Sequence, residues 1–217
     1  EAETSKLVKG HIKRFLFGRP FVRLKLAMSL DGKTALSDGH SKWITSEKAR
    51  SDVQKLRAMS SAIVTGVGTI LHDDPSLSVR LQDPDFPNLR EAMSVERPVY
   101  VLDSRLRIPL RSKVLERSST VLVALEKESK EHQYENEILY AKKKSGRIDL
   151  PTFLNELAKR EHSNVLFECG ATLAGALVEE KLFDEIILYV APKFLGNSAK
   201  SLLMLPELAR MSDYERL

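Results

Sequence analysis

The sequence predicts an α/β fold with a mostly parallel central sheet and helices on both faces. Two observations predict it. Short apolar, strand-like runs recur along the 217 residues with helical segments between them, and parallel strands need such crossovers. Several of these runs end in clusters of Gly, Asp, Ser and Thr, the chemistry of strand ends where α/β proteins place ligands. A hydrophobic fraction of 42% over this length suffices for one generous core, alone or with an appended arm.

Residues 1–19 are charged and irregular, closing on Gly18-Arg19-Pro20, and read as a linker or arm. Residues 21–28 alternate as a strand, with Val22, Leu24, Leu26 and Met28 on one face and Phe21, Arg23, Lys25 and Ala27 on the other. Asp31-Gly32 turns the chain sharply, since glycine accepts positive φ. Thr45 or Ser46 can cap a helix over 46–59, where Ala49, Val53 and Leu56 share a face. A strand at 62–65 ends at Gly66. Further strands are predicted at 98–103, 120–125, 164–168 and 185–191, with helices at 154–160 and 174–181. The proline-containing stretch 80–97 reads as an exposed excursion. Residues 126–146, crowded with Lys and Glu, read as a solvated helix, a hairpin or a long loop.

Lys and Arg total 34 against 30 Asp and Glu, a net charge of +4 with the signs interspersed. This is no nucleic-acid footprint, which gathers basic residues into one stripe. No apolar run approaches the roughly 18 residues of a membrane span, and nothing at the start reads as a signal peptide. One cysteine, Cys169, rules out an internal disulfide. The expectation is a cytoplasmic protein with neither nucleic-acid nor membrane partners. Five scattered histidines and the absence of a GxSxG elbow give no support to metal or serine-nucleophile chemistry.

Phe167-Glu168-Cys169-Gly170-Ala171-Thr172-Leu173-Ala174-Gly175-Ala176 is a strand, a glycine turn and a helix start. It reads as a phosphate cradle or as a tight connection without a ligand, and it is neither a Walker A motif nor GxGxxG. Gly66-Val67-Gly68-Thr69, followed by His72-Asp73-Asp74-Pro75, repeats the theme, with Asp74 read as a cap before Pro75. Two such turns at adjacent strand ends would face one crevice, as an extended dinucleotide requires. Ser104-Arg105 follows the strand ending at Asp103. A hydroxyl and an arginine there tilt the choice towards NADP over NAD, and a solvent-exposed turn explains them too. Trp43 is a core plug or a stacking surface. Arg57 and Arg80 either grip a phosphate or solvate the surface. Lys25, between Leu24 and Leu26, must snorkel or meet a partner. Glu168 is a natural one, as a catalytic pair or as a structural ion pair.

KLAMSLDG at 25–32, SKWIT at 41–45, LRA at 56–58, Gly68-Thr69 with DDPSLSVR at 73–80, ECGATLAG at 168–175, LFDE at 182–185 and APKFLG at 191–196 occur in order. Together they resemble the reductase domain of the bacterial bifunctional riboflavin-biosynthesis deaminase/reductase, from about residue 20 to 206. The resemblance implies a dihydrofolate-reductase-like fold, a homodimer, and NADPH-dependent reduction of the ribosyl group of 5-amino-6-(5-phosphoribosylamino)uracil to ribityl. It implies Ser41, Arg57, Leu77, Arg80 and Glu168 around this substrate, with Lys25 near the ribose and paired with Glu168 in catalysis. It implies Ala27, Trp43, Thr69, Asp73, Ser104 and the loop Gly170, Ala171, Thr172, Leu173, Ala174, Gly175 and Ala176 around NADPH.

Two features depart from the family. The HxE and PCxxC zinc signature of its deaminase domain is absent, so residues 1–19 are expected to be the connector that follows that domain and 20–217 the reductase domain. The chain also stops before the family's usual final strand, which implies truncation and an open sheet edge. The competing expectations are a related NADPH reductase acting on the non-deaminated diaminopyrimidine or a pterin, and a catalytically silent nucleotide-binding domain.

Overall fold

β1, Phe21–Ser29, buries Val22, Leu24 and Leu26 on one face and leaves Arg23, Lys25 and Ala27 half-buried on the other, as a period of two requires. The computed structural model describes residues 8–39, 45–126, 131–207 and 210. In it β1 lies between two parallel neighbours, β9 (Asn164–Glu168) and β10 (Glu185–Ala191). β3 (Ala62–Gly66), β4 (Val99–Leu102), β5 (Thr120–Ala124) and β6 (Glu137–Tyr140) continue the sheet. The order is β10-β1-β9-β3-β4-β5-β6, with every pairing parallel. Two short antiparallel pairs stand beside it, β2 (Lys33–Ala35) with β11 (Lys200–Ser201), and β7 (Lys143–Lys144) with β8 (Arg147–Ile148).

Helices α1 (Lys9–Phe17), α2 (Glu47–Ala58), α3 (Val67–Asp73), α4 (Leu89–Ser94), α5 (Leu150–Lys159) and α6 (Ala171–Glu179) complete the described fold. The sheet has a core on each face. Val64, Tyr100 and Phe167 pack with Phe153 and Leu157 of α5 and Leu177 of α6, while their chain neighbours Ile63 and Val101 pack with Ile70 of α3, Leu106 and Val114. Successive strand residues are thus buried on opposite sides, which only helices or loops on both faces allow.

The lead differs from the expected irregular arm. Lys9–Phe17 is helical and ends at Gly18, whose φ of 65° suits glycine. Its apolar residues Phe15, Leu16 and Phe17 are exposed, so no core-facing periodicity announces it. It docks instead by charge and close approach. Lys13 Nζ lies 2.8 Å from Asp184 Oδ1 and Arg19 Nη1 2.9 Å from Asp184 Oδ2, while a Cβ on Gly10 would stand 2.2 Å from Asn164 Oδ1.

Ser46 caps α2, accepting from the Ala49 amide at 3.3 Å. α5 starts earlier than periodicity predicts because Asp149 caps it through the Thr152 amide at 3.2 Å, with Pro151 in the first turn. α6 likewise begins earlier, at Ala171. The stretch 126–146 supplies β6 and most of the β7–β8 hairpin. The excursion at 80–97 holds α4 and is pinned by buried Arg97, which donates to the Ala58 and Ala92 carbonyls.

Candidate active site

Parallel strands all deliver their carboxyl ends to one edge of a sheet, and the loops leaving them enclose ligand crevices. Here the ends of β1, β3, β4 and β9 open on a single cavity of 1520 Å³. Ala27, Gly66, Ser104 and Glu168 lie on its wall.

Glu168 ends β9 and is 8% exposed. The sequence suggested Lys25 as its partner; the structure gives its hydrogen bonds to Arg57 of α2. Arg57 Nε donates to Glu168 Oε1 at 2.5 Å and Nη2 to Oε2 at 3.0 Å, while Nη1 donates to the Ser78 carbonyl at 3.1 Å. Lys25 is Glu168's register neighbour across the β1–β9 pairing and acts on it through charge. Burial opposes ionisation of Glu168, but the charge and hydrogen bonds of Arg57, joined by the charge of Lys25, outweigh it and hold the carboxyl below its usual range. The adjacent Cys169 thiol is pushed up to about 12, chiefly by burial and then by Glu168. It remains a thiol at neutral pH, unsuited to attack.

Two glycine turns meet at this edge, because β9 and β3 are adjacent. Gly66 leads directly into α3, so the turn is shorter than the expected loop; Gly170 leads into α6. Neither N-cap supplies a side-chain hydrogen bond, which leaves first-turn amides available to a ligand. A Cβ on Gly68 or Gly170 would meet no atom within 4 Å. Thr69 and Asp73 line the cavity from α3, and Gly170, Ala171, Thr172, Leu173 and Ala176 from α6. Ala174 and Gly175 do not. Ala174 is fully buried in the core, and Gly175 is where the segment around Met204 crosses α6: a Cβ there would stand 2.0 Å from the Met204 carbonyl oxygen. Glycine at 175 serves packing. Asp74 caps α3 in the left-handed region, φ 40°, and its carboxylate accepts from the Lys113 amide at 3.0 Å.

Leu77 and Arg80 line the same cavity. Leu77 is buried at φ 51°, and Arg80 is exposed, its amide held by Gln54 Oε1 at 2.7 Å. Ser41 and Trp43 lie outside the described residues. Beyond β4, Ser104 lines the cavity and Arg105 does not; Arg107 does. A turn explains it: the Leu106 amide donates to the Asp103 carbonyl at 3.2 Å and Leu106 takes φ 46°, so the chain changes direction between Arg105 and Arg107. Leu106 and Ile108 are buried anchors, each 2% exposed, and Asp103 is turned inward. Asp103 accepts from the Ile108 amide at 2.8 Å, and its other oxygen lies 3.6 Å from Arg107 Nε. The sequence reading missed Arg107, together with Tyr189 and Arg147, which line the same cavity. Only Arg107 carried a local signal, its place between two apolar residues. Among the described residues no three His, Cys, Asp or Glu side chains gather as a metal site, and no helix is long and apolar enough to cross a membrane.

Comparison with known proteins places this arrangement. Residues 20–212 match the RibD C-terminal domain. The chain is 43% identical over 219 residues to the riboflavin biosynthesis protein RibD of Haemophilus influenzae, covering 97% of the chain and 57% of that protein. It is 36% identical to the 5-amino-6-(5-phosphoribosylamino)uracil reductase of Buchnera aphidicola, covering 82% of the chain and 88% of that relative. The structure of Acinetobacter baumannii RibD superposes over 100% of the chain and 58% of its own length, with TM-score 0.87 and 36% identity. The chain thus spans under three fifths of the RibD proteins named here. Its sheet has the expected dihydrofolate-reductase-like architecture. On sequence match and superposition alike, the chain belongs to the RibD C-terminal domain family.

Proposed function

We propose that this chain reduces the ribosyl group of 5-amino-6-(5-phosphoribosylamino)uracil to give 5-amino-6-(5-phosphoribitylamino)uracil, a step of riboflavin biosynthesis, with NADPH as reductant. The observation that carries the reading is Glu168, clamped by Arg57 beside Lys25 in a crevice that also receives two uncapped helix starts. The name and 88% coverage of the Buchnera relative support the substrate class.

The donor set suits a dinucleotide: open amides at α3 and α6 for the pyrophosphate, with Thr69, Asp73 and Ala27 nearby. Asp103 is withdrawn from any ribose hydroxyl while Ser104 and Arg107 face the cavity, which favours the 2′-phosphate of NADPH over NADH. When bound, NADPH supplies the hydride that C1′ of the opened sugar receives.

The chain's own residues prepare that carbon. Ring opening forms the C1′=N bond from the nitrogen lone pair as C1′–O4′ breaks, and O4′ takes a proton. Lys25 holds that proton at the sugar, and the fixed Glu168 carboxylate accepts from its hydroxyls. Arg80, exposed in the crevice, anchors the 5′-phosphate. Arg57 is largely committed to Glu168 and Ser78 and acts by positioning. The chain is read as the reductase part of a longer cytoplasmic homodimer with a fused deaminase domain. Gel filtration at working concentration checks the dimer.

The test is near-UV absorbance of NADPH mixed with the chain and the deaminated phosphoribosylaminouracil. Loss of absorbance only with both present is expected. Equal loss with the non-deaminated diaminopyrimidine would move the substrate assignment.

A further inference from the structure

Lys25 is held on two sides. On β9 its register neighbour is Glu168, and on β10 it is Ile187. Two residues further along β10, on the same face, the Tyr189 ring centroid lies 6.0 Å from Lys25 Nζ. The Tyr189 hydroxyl donates to Asp52 Oδ2 at 2.6 Å. Asp52 belongs to α2, the helix whose Arg57 fixes Glu168. One helix therefore ties down both neighbours of β1, β9 through Arg57–Glu168 and β10 through Asp52–Tyr189. Lys25 stands between the two ties.

β10 is the edge strand of the described sheet, so its side chains have a neighbouring strand on one side only. The Asp52 bond restrains the phenol there. Burial, followed by the hydrogen bond and charge of Asp52, pushes the phenol above its ordinary range, so Tyr189 stays a neutral donor to that carboxylate. A lysine ammonium on its four-carbon stem is mobile unless held. An aromatic face attracts the cation without consuming its N–H groups, which leaves them for a ligand in the crevice.

We infer that Tyr189 is a positioning residue for Lys25 and that Asp52 acts through Tyr189. The inference rests on the reductase reading. Steady-state kinetics on Tyr189→Leu, Tyr189→Phe and Asp52→Ala test it, with thermal midpoints recorded for each. Tyr189→Leu is expected to lower kcat about 5- to 30-fold, the rate equivalent of one cation–π contact, with Kd for NADPH unchanged. Tyr189→Phe keeps the ring and is expected to restore kcat to within about threefold of the parent. Asp52→Ala, on an exposed helix position, gives a smaller loss. Added to Lys25→Ala, Tyr189→Leu is expected to cost nothing more. An undiminished kcat in Tyr189→Leu, or the same further loss without Lys25, overturns the inference while leaving the reductase. A parent chain that fails to oxidise NADPH with substrate overturns the reading and this inference with it.

Discussion

Arg57 and Glu168, 111 residues apart in sequence, are joined by two hydrogen bonds of 2.5 and 3.0 Å, and each residue is 8% exposed. Removing one member of such a pair strands a charge away from water. Arg57→Ala is therefore expected to lower unfolding stability by about 3–5 kcal/mol. A loss under about 1 kcal/mol in urea would contradict the buried-pair account.

Acid should weaken the fold through carboxylates whose folded pKa values are depressed. Glu168 is one, and its stabilisation is present above the unfolded value of about 4.3 and fades as pH falls through the lower folded value. Asp31 is another. The Ser29 hydroxyl lowers it most, burial opposes, and the Gly196 and Leu195 amides add to the lowering, taking it to about 2. Its contribution is lost between the ordinary 3.8 and about 2. Nuclear magnetic resonance titration of Asp31 checks this, and an ordinary value would contradict the loop contacts.

Two glycines of α6, its N-cap Gly170 and the mid-helix Gly175, should respond differently. At Gly175 an added methyl meets the Met204 carbonyl oxygen at 2.0 Å, while at Gly170 nothing lies within 4 Å. Gly175→Ala is expected to cost about 1–3 kcal/mol as the crossing segment shifts. Gly170→Ala, at φ −79°, should leave the thermal midpoint nearly unchanged. Equal midpoints for both variants would refute the packing role of Gly175.

Lys25→Ala should reduce kcat by about two orders of magnitude or more with little change in NADPH affinity. Stopped-flow turnover beside a fluorescence titration separates the two. Parallel losses in both would remove Lys25 from the proton-holding role.

Cofactor preference should follow Arg107. Arg107→Gln is expected to narrow the NADPH over NADH preference in kcat/KM by about 10- to 100-fold, the loss of a charged hydrogen bond, while Arg105→Gln leaves it. An unchanged preference in Arg107→Gln beside a narrowed one in Arg105→Gln would contradict the role of Arg107.

Local pattern made much of this protein legible. Alternation located β1, short apolar runs located β3, β4, β5, β9 and β10, and the cap at Thr45 or Ser46 was recognisable because capping is a matter of adjacent residues. The glycine turns at 66 and 170 were visible for the same reason. β6 was hidden in a charged stretch whose faces are only partly buried, and α1 was hidden because ion pairs to Asp184, not an apolar stripe, dock it.

By itself, the sequence determined the fold class and which strand ends are rich in ligand-binding chemistry, since hydrophobic period and turn residues act over a few residues. Tertiary structure alone decided the partners. Lys25 and Glu168 looked like a pair, yet the approach of α2 to the sheet gives Glu168 to Arg57, and the pairing of β1 with β10 sets Lys25 beside Tyr189. Arg105 and Arg107 differ because the chain turns between them at Leu106, φ 46°. Gly175 changes meaning when Met204 crosses it. Each of these depends on packing between segments far apart in the chain, where contact is set by the close filling of the whole interior.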